Sequence, residues 1–179
     1  MVSPFLYFPG ERLSLAELTA ACLDGLLTPI GEGFMPADAV ETSWMRARSL
    51  APLVGAKWAA VRSSAAWIHG GADLEPARHH LQRASAERAR PPRTTGVVTH
   101  DVRIAPADVV TIAGVLVASP ERTLVDLARS GDEADVTAAR ARGLAEPRLV
   151  AEAQRWLARH PRFPYGRRAD EVLRTLGVE

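Results

Sequence analysis

The sequence predicts an α+β fold in which a small, mostly antiparallel sheet of about four strands is surrounded by helices. Two observations lead to that prediction. Short β-branched or alternating runs at 97–104 and 109–117 are typical of strands, whereas the last third of the chain shows only helical patterns. With 179 residues, of which 47% are hydrophobic, the chain can bury a core of its own. We therefore expect one globular unit with a helical C-terminal third.

The clearest local signal is a hairpin followed by a capped helix. Two β-rich runs are interrupted at Ala113-Gly114, which is typical of a tight turn. A helix should begin directly after the second run, because Ser119 is a good N-cap and Pro120 is favourable in the first helical turn. Arg122 and Asp126 lie four residues apart in this helix, so we expect an intrahelical ion pair between them.

Residues 1–37 are predicted to form a small unit before the main domain. Ser14 and Glu17 have the spacing of a capping box, so a helix should follow them. The run 26–36 then predicts a hairpin whose turn contains two glycines. One helix and one hairpin are compatible with a reduced winged-helix-like segment and with a lid on the main domain. Both interpretations stay open at this point.

Residues 38–131 are expected to form the α+β core. Trp44 belongs to a predicted helix and should anchor it in that core. The apolar run 58–61 is either a short strand or the start of the helix that follows it. His69 lies at the C-terminal end of that helix, where the helix dipole favours a protonated imidazole, and we expect its role to be structural. A strand at 78–83 precedes an exposed loop rich in Arg and Pro.

Residues 132–179 are expected to form a C-terminal helical segment. Glycine and proline residues divide this part of the sequence into three amphipathic stretches. Three helices are predicted there, over 132–142, 147–159 and 167–176, with Gly143 separating the first two.

Charges are segregated along the chain, although the formal net charge is only +1. Residues 1–45 carry six acidic side chains against Arg12 alone, which gives a net charge of −5. Residues 78–103 and 155–174 each carry a net charge of +4. All basic residues except Lys57 are arginines, whose guanidinium groups suit phosphate and carboxylate partners.

The basic middle of the chain is the candidate nucleic-acid-binding surface. An acidic N-terminal segment repels phosphates, whereas arginines on an exposed loop can reach several of them in succession. The candidate residues are Arg78, Arg83, Arg88, Arg90 and Arg93. In the alternative interpretation these arginines only solvate the surface or pair with the acidic N-terminal segment.

The sequence does not contain a residue pattern typical of a catalytic or metal site. It has no Gly-rich phosphate loop, no ordered Ser, His and Asp series, and no base placed for its single cysteine, Cys22. His79 and His80 are adjacent on a predicted strand and should point to opposite faces, so they cannot join His100 around one ion without distortion. We therefore expect a protein that is not an enzyme and that holds no metal and no cofactor.

Compartment signals in the sequence are consistent with a cytoplasmic protein. A single cysteine cannot form an internal disulfide, and no apolar run approaches membrane-spanning length. The apolar residues at the start of the chain lack a charged segment ahead of them. We expect a cytoplasmic location without membrane contact.

The ordered motifs resemble those of the AbiEi-like family, the actinobacterial abortive-infection type IV antitoxins. The resemblance covers residues 40–130 and depends on Ser63-Ser64-Ala65-Ala66-Trp67-Ile68-His69-Gly70, the basic strand region, the hairpin, and the helix start after residue 118. Positions that match the family pattern are expected to form a structural motif, namely His69, Ser119, Arg122, Thr123 and Asp126. The resemblance implies a short member of the family with a reduced N-terminal winged-helix-like segment.

The resemblance implies an antitoxin or transcriptional-regulator-like protein. Such a protein binds promoter DNA to repress its own operon and helps to neutralise a nucleotidyltransferase-type toxin. The alternative is a protein-interaction module of the same fold that has lost DNA binding, and the short, acidic N-terminal segment favours it. Related chains often end in a nuclease-like domain with a lysine-containing strand, whereas this C-terminal third contains no lysine.

Overall fold

A five-stranded mixed sheet, a separate two-stranded hairpin and eight α-helices make up the described residues, 5–92 and 94–176, of the computed structural model. The helices are α1 (Leu15–Leu23), α2 (Ser43–Ser49), α3 (Ala51–Val54), α4 (Arg62–Ile68), α5 (Pro120–Ala128), α6 (Glu133–Ala145), α7 (Pro147–Arg159) and α8 (Gly166–Arg174). The strands are β1 (Leu27–Ile30), β2 (Gly33–Pro36), β3 (Trp58–Ala60), β4 (His79–Arg83), β5 (Val97–His100), β6 (Val109–Ile112) and β7 (Val115–Ala118). Across the described ranges, no helix is long and apolar enough to cross a membrane.

The main sheet has the strand order β5-β4-β3-β7-β6. β3 pairs antiparallel with β4 and parallel with β7, and β5 pairs parallel with β4. The α+β class is therefore confirmed, but the prediction of about four mostly antiparallel strands is wrong. The extra strand is the central β3, whose three residues are all buried. A fully buried run of three residues has no polar alternation, so periodicity alone does not identify it.

β5 is shorter than the run 97–104 predicts. The guanidinium group of Arg83, the last residue of β4, holds the Asp101 carbonyl oxygen at 3.0 Å and its carboxylate at 3.2 Å. The chain leaves the sheet at this point, and Val102 is 77% exposed. Ile104 returns to the core, where its N–H donates to the Arg83 carbonyl oxygen at 2.9 Å.

Local capping and turn signals are confirmed. Ser14 and Glu17 form the capping box of α1, and Ser119 caps α5. The turn between β6 and β7 places Ala113 at φ 52° and Gly114 at φ 79°, the left-handed pair that a tight hairpin requires. These signals act over a few residues, which is why the sequence alone is sufficient to predict them.

α2 buries Ala47, as its apolar spacing predicts, but it does not bury Trp44. Met45 and Ala47 are buried, whereas Trp44 is 44% exposed. Arg46 crosses to α4 instead, where its Nη1 donates to the carbonyl oxygens of Trp67 at 2.6 Å and Ala72 at 2.9 Å. The prediction that Trp44 anchors the core is therefore wrong.

α4 and α5 connect two hydrophobic clusters. Ala65, Trp67 and Ile68 of α4 pack into the cluster around the sheet, while Ala66 packs with the C-terminal helices. α5 is buried over most of its length and contacts α4, α6, α7 and α8. α4 and α5 therefore lie between the sheet and the C-terminal helices and pack against both.

The C-terminal third contains the three predicted helices. α6 runs through Gly143, which the sequence suggests as a break, and ends two residues later. An added Cβ at Gly143 would lie 2.7 Å from Leu176 Cδ1 and 3.1 Å from Val150 Cγ2. The glycine is therefore required for close helix packing and does not end the helix.

Candidate functional site

A buried charge network, defined as Asp108, Arg122, Asp126, Arg129 and Trp156, lies where α5 meets α7. Arg122 donates to the carboxylates of Asp108 at 2.9 Å and Asp126 at 3.0 Å, so the predicted intrahelical pair is confirmed. Arg129 donates to the other Asp126 oxygen at 2.8 Å, and Trp156 Nε1 donates to the other Asp108 oxygen at 2.7 Å. Both carboxylates therefore have each of their oxygens bonded.

An aromatic ring covers this network. Phe163, in the loop between α7 and α8, lies under both guanidinium groups, 4.7 Å from Arg122 and 4.6 Å from Arg129. Over residues 5–92 and 94–176, no buried side-chain nitrogen or oxygen lacks a hydrogen-bond partner. The side chains of Arg122 and Asp126 are almost completely buried, so both are placed to hold helices together.

Two of the remaining positions of the predicted structural motif, His69 and Thr123, bind the same carbonyl group. The Ala118 carbonyl oxygen accepts from His69 Nε2 at 2.8 Å and from Thr123 Oγ1 at 3.3 Å. Ser119 Oγ accepts from the Arg122 N–H at 3.4 Å. The structure thus places His69, Ser119 and Thr123 at the junction of α4, β7 and α5, whereas the side chains of Arg122 and Asp126 belong to the buried charge network.

His69 donates to a carbonyl oxygen with Nε2, so a neutral ring satisfies this contact. Burial lowers the pKa of His69, and the bond to Ala118 opposes that shift only in part. The expectation that the helix dipole favours the charged form is therefore wrong for this residue. Desolvation of the partly buried ring is the largest cause of the shift, and it disfavours the charged imidazolium.

The candidate arginines of the basic middle divide into two groups. Arg83 is engaged locally, since its Nη1 also donates to the carbonyl oxygen of Ser85 at 2.8 Å. Arg78, Arg88 and Arg90 are exposed and make no hydrogen bond or ion pair with any described residue. Arg93 lies outside the described residues. We call Arg78, Arg88 and Arg90 the free arginines.

Acidic residues of the N-terminal segment do not pair with these arginines in the described part of the chain. Glu17 accepts from Ser14 within its own helix, and Glu41 pairs with Arg46. In the Arg- and Pro-rich loop over residues 84–95, which we call the basic loop, Glu87 pairs with Lys57 at 3.3 Å. The alternative in which the acidic segment neutralises the basic loop therefore has no support among these contacts.

The histidines considered for a metal site have other partners. His79 contacts Glu75 at 2.9 Å, and His80 Nδ1 lies 3.2 Å from His100 Nε2. Within the described ranges, no group of three or more His, Cys, Asp or Glu side chains is placed to hold a metal ion. Burial, with the nearby Arg62, lowers the pKa of His100 to about 4. His80 is shifted in the same direction for the same reasons.

Sequence reasoning missed two members of the buried charge network and one further residue that connects helices. Asp108 and Trp156 complete the buried network from positions far from α5 in the sequence. Arg46 bridges α2 to α4. Only the helical spacing of Arg122 and Asp126 was visible, because the other partners are brought together by tertiary folding.

Residues 58–156 match the model of the family described as AbiEi antitoxin C-terminal domain. Those 99 residues are more than half of the chain's 179. Among solved structures, the crystal structure of the RV2827C protein from Mycobacterium tuberculosis is similar, with 20% identity and a TM-score of 0.49. That comparison covers 97% of this chain and 73% of the other. No curated protein matches the sequence.

Proposed function

The chain belongs to the AbiEi antitoxin C-terminal domain family, and from that premise we propose that it is an antitoxin-type regulator. In this proposal it binds promoter DNA to repress its own operon and neutralises a nucleotidyltransferase-type toxin. The family match over 58–156 is the observation that carries the proposal. The matched region includes the sheet and α5. It also includes the free arginines, which supply the candidate DNA contacts.

The free arginines form the proposed DNA-contacting surface. They are exposed, and their guanidinium groups have no partner among the described residues, so binding a phosphate requires no internal bond to break. Arg83 and Arg103 have a different role in this proposal, because they donate to loop carbonyl oxygens at 2.8 and 3.3 Å. They shape the loop, and the free arginines meet the phosphates.

A titration of duplex DNA from the protein's own upstream region tests this assignment. The triple variant Arg78→Ala, Arg88→Ala, Arg90→Ala should bind more weakly and reduce the slope of log K against log salt by about 2 to 3, because each lost phosphate contact removes about 0.9. A matched control, Arg12→Ala, Arg140→Ala, Arg148→Ala, removes the same charge from exposed positions elsewhere. Equal affinity and slope in wild type and the first variant contradict the assignment.

A second candidate function is a protein-interaction module that does not bind DNA. Several large hydrophobic side chains of the N-terminal segment are exposed, including Leu15 (58%), Leu23 (85%) and Val40 (82%). Exposed apolar surface next to acidic residues is typical of a protein-binding surface. The hairpin is also tied to the core, since the Glu32 N–H donates to the Ser49 carbonyl oxygen at 3.2 Å. This contact supports a lid more than an independent winged-helix unit.

The titration separates the two candidate functions. Wild-type protein that does not bind the duplex even at low salt favours the interaction module. In that case Leu15→Ser with Leu23→Ser should abolish capture of the protein partner without lowering the melting temperature, since neither side chain is buried.

We also propose that the protein is not an enzyme. Purified protein should show no hydrolase, nuclease or nucleotidyltransferase activity, with or without divalent metal. The reason is that the titratable groups of the described core are engaged in structural contacts, as His79 is with Glu75 at 2.9 Å. Metal-dependent cleavage of nucleic acid that disappears in His79→Ala or His100→Ala protein contradicts this expectation.

A further inference from the structure

An open groove of about 580 Å³ lies between the end of α7 and the start of α8. Its lining combines apolar residues, such as Leu157 and Phe163, with the side chains of Arg162, Tyr165 and Arg167. A second depression of about 580 Å³ shares Ala158 with it, but its two arginines, Arg155 and Arg159, are matched by two glutamates, Glu121 and Glu152. Only the first groove therefore has more arginines than carboxylates in its lining.

Tyr165 has two unusual properties at the rim of this groove. Its backbone is left-handed, with φ 60°, which is uncommon for a bulky residue. Its side chain is 75% exposed, so packing of the ring does not explain why the conformation is retained. Backbone strain of this kind concentrates at functional sites. The ring is available to stack on a planar partner.

Charged groups beside the ring favour an anionic ligand. Arg162 and Arg167 are exposed and have no partner among residues 5–92 and 94–176. The carboxylate that lines the groove, Asp170, is already paired with Arg174 at 2.7 Å. An aromatic ring flanked by unpaired arginines matches a ligand in which bases alternate with phosphates.

We propose that this groove binds a single-stranded segment of nucleic acid. Tyr165 stacks on one base, and Arg162 and Arg167 bind the phosphates on either side of it. The family match ends at residue 156, before all three of these residues. The site is also separate from the free arginines, so it adds a single-strand contact to a protein proposed to bind duplex DNA.

Fluorescence anisotropy with labelled oligonucleotides of about 12 nucleotides tests the site, one of deoxythymidine and one of uridine. Tyr165→Gly removes the ring and relieves the left-handed backbone, so the protein should melt at the same or a higher temperature while affinity falls about five- to hundred-fold. Tyr165→Phe should keep wild-type affinity. Arg162→Ala with Arg167→Ala should lower the salt slope by about 1.4, since each single-strand phosphate contributes about 0.7.

Two controls isolate the groove from general charge effects. Arg140→Ala with Arg148→Ala removes the same charge from exposed positions on α6 and α7 and should leave affinity unchanged. The triple variant of the free arginines should also bind the oligonucleotides as wild type does, so this test can fail while the duplex proposal holds.

Three results overturn the proposal. The first is wild-type protein that binds neither oligonucleotide at about 50 mM salt. The second is Tyr165→Gly protein with unchanged affinity, and the third is an equal loss of affinity in the Arg140 and Arg148 control. Binding of an acidic peptide spanning residues 11–24, without binding of either oligonucleotide, would identify the groove as a protein-docking surface instead.

Discussion

At the scale of single residues, Asp126 shows how one side chain can serve several elements. It accepts from Arg122 at 3.0 Å and from Arg129 at 2.8 Å, and it is 1% exposed. Two guanidinium groups therefore share this buried carboxylate, and Arg122 also binds Asp108 at 2.9 Å. Removing a single member of a buried ionic group is costly, because the charges left behind have no solvent to replace the lost partner.

Asp126→Ala should lower the free energy of unfolding by about 3 kcal/mol or more. In a chain of this length that corresponds to a fall in melting temperature of roughly 6 to 12 °C. Arg140→Ala is the control, since its contact with Glu133 is exposed and 3.9 Å long and should be worth under about 1 kcal/mol. An unchanged melting temperature in Asp126→Ala protein, together with lost DNA binding, would make the pair functional and not structural.

A second residue-scale prediction concerns pH. Burial lowers the pKa of His100 to about 4, below the 6.5 of an unfolded chain. The unfolded state therefore binds more protons between these values, and stability falls as the pH drops from about 6.5 toward 4. The lowered pKa values of His69 and His80 act in the same direction. The pKa values of Glu17 and Glu75 are lowered from 4.5, so the stability that these carboxylates contribute is lost only as the pH falls below about 4.5.

His100→Gln should therefore reduce the loss of stability between about pH 6.5 and about pH 4.5, because glutamine does not titrate. Urea unfolding at both pH values, in wild type and variant, measures the difference. A pH dependence identical to that of wild type would show that His100 is not held neutral by its surroundings.

At the scale of elements, the hairpin turn makes a contact that the sequence alone does not reveal. Gly31 has φ 52°, and a Cβ added there would clash with Ser49 Oγ and lie 3.1 Å from Leu50 Cδ2. Its N–H also donates to the Glu75 carboxylate at 2.9 Å. The glycine therefore allows the β1–β2 turn to pack directly on the end of α2.

Gly31→Ala should destabilise the protein by about 2 to 4 kcal/mol, because backbone strain and overpacking add. Gly114→Ala is the matched control. It has φ 79° but nothing within 4 Å of an added Cβ, so it should cost about 1 to 2 kcal/mol for backbone strain alone. Chemical denaturation measures both variants, and equal losses would show that the hairpin is not tightly packed on α2.

The sequence predicted helix starts and tight turns, but it left the central strand ambiguous and did not predict the exposure of Trp44 on α2. Helix starts at Ser14 and Ser119, and the turn at Ala113-Gly114, follow from side chains a few residues apart. The central strand β3 and the exposure of Trp44 depend on which elements pack together. Such choices are made by tertiary contacts, and those contacts leave no local pattern in the sequence.

At the scale of the whole molecule, two clusters share α4 and α5. In the buried charge network, Asp108 accepts from Arg122 of α5 and from Trp156 of α7, and so connects these two helices. The basic loop follows β4 of the sheet. Local charge sums pointed to the loop arginines, but only the structure separates the engaged Arg83 from the free arginines. The exposed, left-handed Tyr165 had no sequence signal, because a positive φ on tyrosine follows from the surrounding fold.

Growth rescue tests the proposed antitoxin activity most directly. A nucleotidyltransferase encoded beside this gene should arrest growth when expressed alone, and co-expression of the wild-type chain should restore it. The Asp126→Ala chain should restore it poorly, because its fold is weakened. Growth arrest that persists at full expression of soluble wild-type chain, or a neighbouring nucleotidyltransferase that is harmless on its own, would contradict the claim.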